Sequence, residues 1–251
     1  MPQRNDLYYQ LHQEGEQPPV ILIHGAGGTH LFWPPEIRRM PAACVYALNL
    51  PGHGKSGGCA LQSISAYAGV LLEWFDTLEL SRAVFVGHSM GGAIALQFAL
   101  ENPTRVLGLG LISTAARLRV NSDLLDLASA SATYTPAVEK LIGWSFSQET
   151  PERLKELAYN RMLETRATVL HADLLACSEF NVVSLLAGIN RPALVLCGSD
   201  DKMIPLRQSQ LLAAELPNAY LEVIDGAGHM VMLEKPDQVA KETLSFLSEV
   251  S

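Results

Sequence analysis

Five residues, Gly87-His88-Ser89-Met90-Gly91, constrain this chain more than any others. They follow the apolar run Ala83–Val86 and precede a helical stretch, Ala93–Leu100, that stops at Asn102-Pro103. A G-x-S-x-G between a strand and a helix has the form of a nucleophile elbow. The turn is so tight that its serine takes a strained backbone conformation. Side chains at positions 87 and 91 would collide with the neighbouring strand and helix. The hydroxyl of Ser89 then stands free at the end of the sheet. The N–H of Met90 opens a helix, where an unpaired donor can hold an anion. A plain tight turn would use the same glycines; the flanking strand and helix are what favour the elbow.

The rest of the chain repeats that rhythm. Leu7–His12 reads as an opening strand and 15–19 as a turn. Val20–Ile23, Cys44–Leu48 and Val106–Ile112 are continuous apolar runs, as expected of strands buried on both faces. Ala66, Val70, Trp74 and Leu78 recur at helical spacing and read as a core stripe. Strands alternating with helices predict a parallel sheet covered on both sides. From 113 to 190 the rhythm breaks, with helical patches at 123–130, 137–144, 152–163 and 169–177. Thr135-Pro136 and Thr150-Pro151 read as helix-start signals. Strands resume at Ala193–Cys197 and Tyr220–Ile224, and a last helix starts near Pro236. The division expected is an α/β core, 1–112 with 191–251, carrying a helical cap or lid at 113–190 over Ser89.

Composition narrows the partners. With 26 acidic against 18 basic residues the net charge is −8, which disfavours nucleic acid and anionic membranes. No apolar stretch is long enough to span a bilayer, and the polar start, Met1–Asp6, leads us to expect no secretory signal. Cys44, Cys59, Cys177 and Cys197 are widely spaced and make no C-x-x-C pair. Free thiols in a reducing, cytoplasmic setting are the expectation. No H-E-x-x-H or Cys/His cluster appears, so no metal is expected.

The chemistry gathers in the loops after the strands, where open α/β sheets bind ligands. His24-Gly25-Ala26-Gly27-Gly28 fails as a dinucleotide loop, because a G-x-G-x-x-G would need glycine at His30. It fits an oxyanion loop, with Ala26 the donor facing the serine alongside Met90. Ser89, the acids Asp200 and Asp201, and His229 follow in the chain order serine, acid, histidine. A serine hydroxyl is a weak nucleophile, a histidine can take its proton and return it, and a buried carboxylate fixes the imidazole tautomer. His24 is expected to brace the oxyanion loop, and His53 and His88 to serve structural roles. His12, His30 and His171 have no partner assignable from sequence.

HGAGG, PGHGKS, GHSMGG, GSDDKMIP and GAGHMVMLEKP occur in the order of the α/β-hydrolase fold family, which the chain resembles over essentially its whole length. GHSMGGAIA resembles monoacylglycerol lipases and related carboxylesterases. The resemblance implies a mostly parallel sheet, a helical cap, no cofactor, and ester hydrolysis as the default activity. The family's G-x-x-D-x-x-x-P falls on Gly198, Asp201 and Pro205, and so selects Asp201 over Asp200. Serine as nucleophile argues against haloalkane dehalogenases and epoxide hydrolases. Ala93 stands where menaquinone-pathway lyases carry arginine, and Met230 where many C–C hydrolases carry tryptophan. GHMVML is similar to plant methylesterases and hydroxynitrile lyases, so a lyase stays open.

The leading expectation is therefore a carboxylic-ester hydrolase acting through Ser89, Asp201 and His229, with Ala26 and Met90 as oxyanion donors. Gly27, Trp33, Met203 and Met230 are candidate substrate contacts, which suggests a small hydrophobic ester. The chain is expected to be a monomer or a homo-oligomer. C–C hydrolysis or lyase chemistry would ask for cations near the substrate, with Arg153, Arg161 and Arg166 as candidates. A low-turnover ligand receptor is the third reading.

Overall fold

A computed structural model describes residues 7–14, 18–41 and 43–250. The expected polar start at 1–6 and most of the expected turn at 15–19 lie outside the described residues. Seven strands form one sheet: β1 Tyr9–Gln13, β2 Pro19–Ile23, β3 Cys44–Leu48, β4 Ala83–His88, β5 Val106–Ile112, β6 Ala193–Gly198 and β7 Ala219–Ile224. Their order is β1-β3-β2-β4-β5-β6-β7. Only β1 runs antiparallel, paired with β3; every other neighbouring pair is parallel.

The apolar runs explain why this sheet is covered on both faces. Successive side chains of a strand point to opposite sides. Ile21, Ile23, Phe85, Leu109 and Leu111 enter one core cluster, and their alternates Val20, Leu22, Val84, Val86 and Ile112 enter the other. Helices α2 (Ile64–Thr77) and α3 (Met90–Glu101) cover the first face with Tyr67, Leu71, Ile94 and Phe98. The short α1 (Pro35–Arg38) and the C-terminal α10 (Pro236–Glu249) cover the second with Ile37, Val239 and Phe246. Between β5 and β6 lie α4 (Ser122–Ala128), α5 (Tyr134–Ser145), α6 (Glu152–Leu163) and α7 (Ala167–Glu179). Helix α8 (Leu206–Glu215) links β6 to β7, and one turn, α9 (Val231–Glu234), precedes α10.

Two local expectations are corrected. The core stripe of α2 is Ile64, Tyr67, Ala68, Leu71, Trp74 and Phe75; Ala66 is exposed and Val70 and Leu78 are only half-buried. The helix turns its three aromatic residues inward, and that rotates Ala66 out. The helix-start signals also shift. Helix α5 begins at Tyr134, ahead of Thr135-Pro136, and α6 has Pro151 itself in the cap position. Thr150 instead donates its hydroxyl to Glu234 at 2.5 Å. Between β5 and β6 there is no strand among the described residues, and Arg117 and Asn181 form an isolated antiparallel bridge.

The parallel strands bring the ends of β4, β6 and β7 to one edge. At β4 the chain turns so tightly that a Cβ on Gly91 would sit on the Ile23 carbonyl, and one on Gly87 on the backbone of Gly91 and Gly92. Neither neighbour is a flexible side-chain tip, so no rotamer change relieves the overlap. Gly91→Ala is expected to yield no soluble, cooperatively melting protein; a variant with wild-type expression and melting temperature would contradict this packing.

Candidate active site

Ser89 sits between β4 and α3 with φ 52° and ψ −116°. A left-handed conformation in a non-glycine residue stores about 1–3 kcal/mol and needs a surround that enforces it. Here the Ser89 N–H donates to the Ile112 carbonyl at 2.9 Å, and the Thr114 hydroxyl donates to the Ser89 carbonyl at 2.7 Å. With both backbone groups engaged, the side chain is left to line a cavity.

Asp201 and His229 come from the loops after β6 and β7. His229 Nδ1 and Asp201 Oδ2 are 2.9 Å apart, with both residues buried. The other carboxylate oxygen accepts the N–H groups of Met203 (2.9 Å) and Ile204 (2.8 Å). Burial alone would raise the Asp201 pKa, but the His229 charge and these three hydrogen bonds outweigh it and hold the carboxyl below its usual range. Asp200 does not compete: it is exposed and accepts the Ser199 hydroxyl. The His229 loop is tied down from outside. Glu234 accepts the N–H groups of Gly228 (2.8 Å) and Ser147 (3.0 Å), and the Met230 N–H donates to the Ser145 carbonyl at 2.9 Å.

The histidines with expected structural roles have them. His24 Nε2 accepts the Leu50 N–H at 3.0 Å, so its proton sits on Nδ1 and goes to the Gly25 carbonyl at 2.8 Å. Burial, followed by the charge of His53, keeps His24 well below its ordinary pKa. His88 donates from Nε2 to the His229 carbonyl at 3.0 Å, and burial, followed by the His229 charge, pushes it down to about 3. His30, unassigned in sequence, meets Asn49 Oδ1 at 2.8 Å through its ring.

The cavity measures about 80 Å³ and is lined by Ser89 and His229, by Gly25, Ala26 and Gly28 of the loop after β2, and by Met203 and Met230. Among the described residues, the N–H groups of Ala26 and Met90 have no hydrogen-bond acceptor. Two expected substrate contacts lie elsewhere. Trp33 is wholly buried in the core, and its neighbour Phe32 takes the place on the cavity wall. Gly27, at φ 65°, turns its N–H away to Asp173 Oδ2 at 2.8 Å. Arg153, Arg161 and Arg166 are exposed and off the cavity, with Arg166 donating to the Gly52 carbonyl at 3.3 Å. No cluster of histidine, cysteine and acidic side chains among the described residues could hold a metal ion.

A family model described as alpha/beta hydrolase fold matches residues 18–236. The chain belongs to the α/β-hydrolase fold family. Among solved structures, a thermophilic esterase from Thermogutta terrifontis superimposes with a TM-score of 0.90 at 25% identity, over 97% of this chain and 93% of that one. A putative carbamate hydrolase, RutD, of Agrobacterium fabrum is 28% identical over 255 residues, covering 96% of this chain and 98% of the relative. The dihydrolipoyllysine-residue acetyltransferase component of the acetoin cleaving system of Pseudomonas putida is 32% identical over 254 residues; the chain spans 66% of its length.

This α/β-hydrolase carries one buried acid that the sequence reading did not single out. Asp173 of α7 is completely buried, and it joins three separate segments. It accepts the Gly27 N–H, His53 Nε2–H at 2.8 Å and the Tyr67 hydroxyl at 2.5 Å. The other ring nitrogen of His53 meets the Pro51 carbonyl at 3.0 Å. Both ring nitrogens face oxygen atoms, an arrangement that favours the imidazolium form. Burial opposes that charge, but Asp173 overcomes it and raises the pKa. The only trace in sequence was an aspartate amid the apolar run Val169–Ala176.

Breaking this buried pair by Asp173→Ala should lower stability by about 3–5 kcal/mol, read by chemical denaturation. A raised histidine pKa stabilises the fold fully below the unfolded value of about 6.5 and ceases to do so as pH rises through the folded value. The gap between wild type and variant should therefore be widest at and below about pH 6.5 and narrow above it. A gap independent of pH would show that His53 is neutral.

Proposed function

We propose that this hydrolase cleaves small carboxylic esters through an acyl-enzyme on Ser89. The observation that carries the reading is the 2.9 Å contact between His229 Nδ1 and Asp201, made at the wall of the cavity into which Ser89 opens. Asp201 keeps the Nδ1 proton in place, which leaves Nε2 unprotonated and free to act as base. The serine oxygen attacks the ester carbonyl as His229 takes its proton. The carbonyl oxygen, now negative, is held by the N–H groups of Ala26 and Met90, the second at the positive end of α3. His229 returns the proton to the departing alcohol. Water, deprotonated by the same histidine, then releases the acid.

The stretch 113–190 serves as the cap. It contributes Leu118, Leu141, Met162 and Leu174 to the cavity wall, which excludes water from the reacting atoms. The cavity is small, about 80 Å³. Short-chain esters, well below octanoyl in length, are therefore the substrates proposed. The relative named as a putative carbamate hydrolase makes small carbamates the next compounds to assay, since the same attack on a carbamoyl carbon needs no further group.

Hydrolysis of p-nitrophenyl esters of graded acyl length tests this directly. Ser89→Ala should reduce kcat by on the order of 10⁴–10⁶. Activity should fall by roughly tenfold or more from butyrate to octanoate, as the added methylenes outgrow the cavity. Turnover unaffected by Ser89→Ala would overturn the mechanism; a rising rate with chain length would overturn the size limit.

A further inference from the structure

We propose that the natural substrate is a hemiester of a short dicarboxylic acid, its free carboxylate held at the cavity mouth by Arg119. This rests on the ester-hydrolase reading and adds the chemical class of the acyl group. Arg119 lines the same cavity as Ser89 and His229. An adjoining groove, which shares Met203 and Ile204 with that cavity, is bordered by Arg119 together with Arg117, Lys202 and Arg207. Among the described residues, none of these four cations has an ion-pair or side-chain hydrogen-bond partner. No aspartate or glutamate lines either space.

That arrangement runs against the chain as a whole, which has 26 acidic and 18 basic residues. Drawn at random from such a surface, the mouth would be acidic. Folding does not account for it either. Four like charges around one opening repel one another, and Arg207 stands in the first turn of α8, where the helix dipole favours an acid. Beyond Lys202 the charge is mixed: the groove there carries Glu139, Glu152 and Glu156 beside Lys155, which pairs with Glu152. The unpaired positive charge flanks the approach to Ser89. A cleft lined by one sign of charge concentrates ligands of the opposite sign. A guanidinium offers the paired donors that match a carboxylate. Ser89 and Arg119 line one cavity of about 80 Å³, which favours a short chain between the reacting carbonyl and the carboxylate.

The test compares monomethyl glutarate with methyl pentanoate, following methanol release, and adds glutarate itself in thermal denaturation. Wild type should favour the anionic ester in kcat/KM by on the order of tenfold at low ionic strength, and salt should erode the preference. Arg119→Gln should reduce the ratio of the two kcat/KM values about tenfold, mainly through KM, and Arg119→Lys should restore part of it. Glutarate should raise the melting temperature of wild type and of Ser89→Ala but not of Arg119→Gln. Preference for methyl pentanoate, or a ratio unchanged in Arg119→Gln, would overturn the proposal even with ester hydrolysis intact. If glutarate stabilises both serine forms through Arg119 while neither ester is cleaved, the anion site stands and the esterase reading falls. No stabilisation by glutarate in any form would remove the site.

Discussion

The site depends on a backbone held where a serine does not settle by itself. Ser89 at φ 52° is stable only because strand β5 takes its N–H, Thr114 donates to its carbonyl, and glycines at 87 and 91 let a strand and a helix approach within a distance no side chain permits. Strain of about 1–3 kcal/mol is small against the two core clusters that clamp the turn from both faces of the sheet. The geometry then follows. The hydroxyl projects from the sheet edge, the first N–H of α3 is left unpaired beside it, and the loops after β6 and β7 reach the same edge because the strands are parallel.

Electrostatics around that edge divide the histidines by partner. His24 and His88 are buried against backbone groups and other imidazoles, so they stay neutral and act as fixed donors and acceptors. His53 is as deeply buried but meets a carboxylate, and its pKa is raised instead of lowered. Asp173 thereby ties the Gly25–Gly28 turn, the loop after β3 and helix α2 to helix α7. The Gly27 donor is spent on this anchor, which leaves Ala26, its neighbour, with a free N–H at the cavity.

The inner strands were legible because they are largely apolar runs, and Cys44–Leu48 and Val106–Ile112 end where the sequence pattern ends. Ser89, Asp201 and His229 were legible because each sits in a glycine-marked loop just past a strand. What failed to show was whatever depends on rotation about an axis or on distant partners. A one-residue rotation of α2 exchanged Ala66 for Tyr67 on the buried face. The turn after β2 put Phe32 on the cavity and Trp33 in the core. The partners of Asp173 lie 146, 120 and 106 residues away, so no local pattern could have joined them. The cations at the mouth likewise come from distant segments, Arg117 and Arg119 after β5, Lys202 after β6 and Arg207 in α8, and only folding collects them.

The central claim is that Ser89 is the nucleophile and that His229 activates it. The most direct measurement is mass spectrometry of the protein after brief reaction with a fluorophosphonate. We predict one adduct per chain, on the peptide bearing Ser89, formed at a rate that collapses in His229→Ala. An adduct on another residue, or labelling of Ser89 at an undiminished rate without His229, would contradict the account.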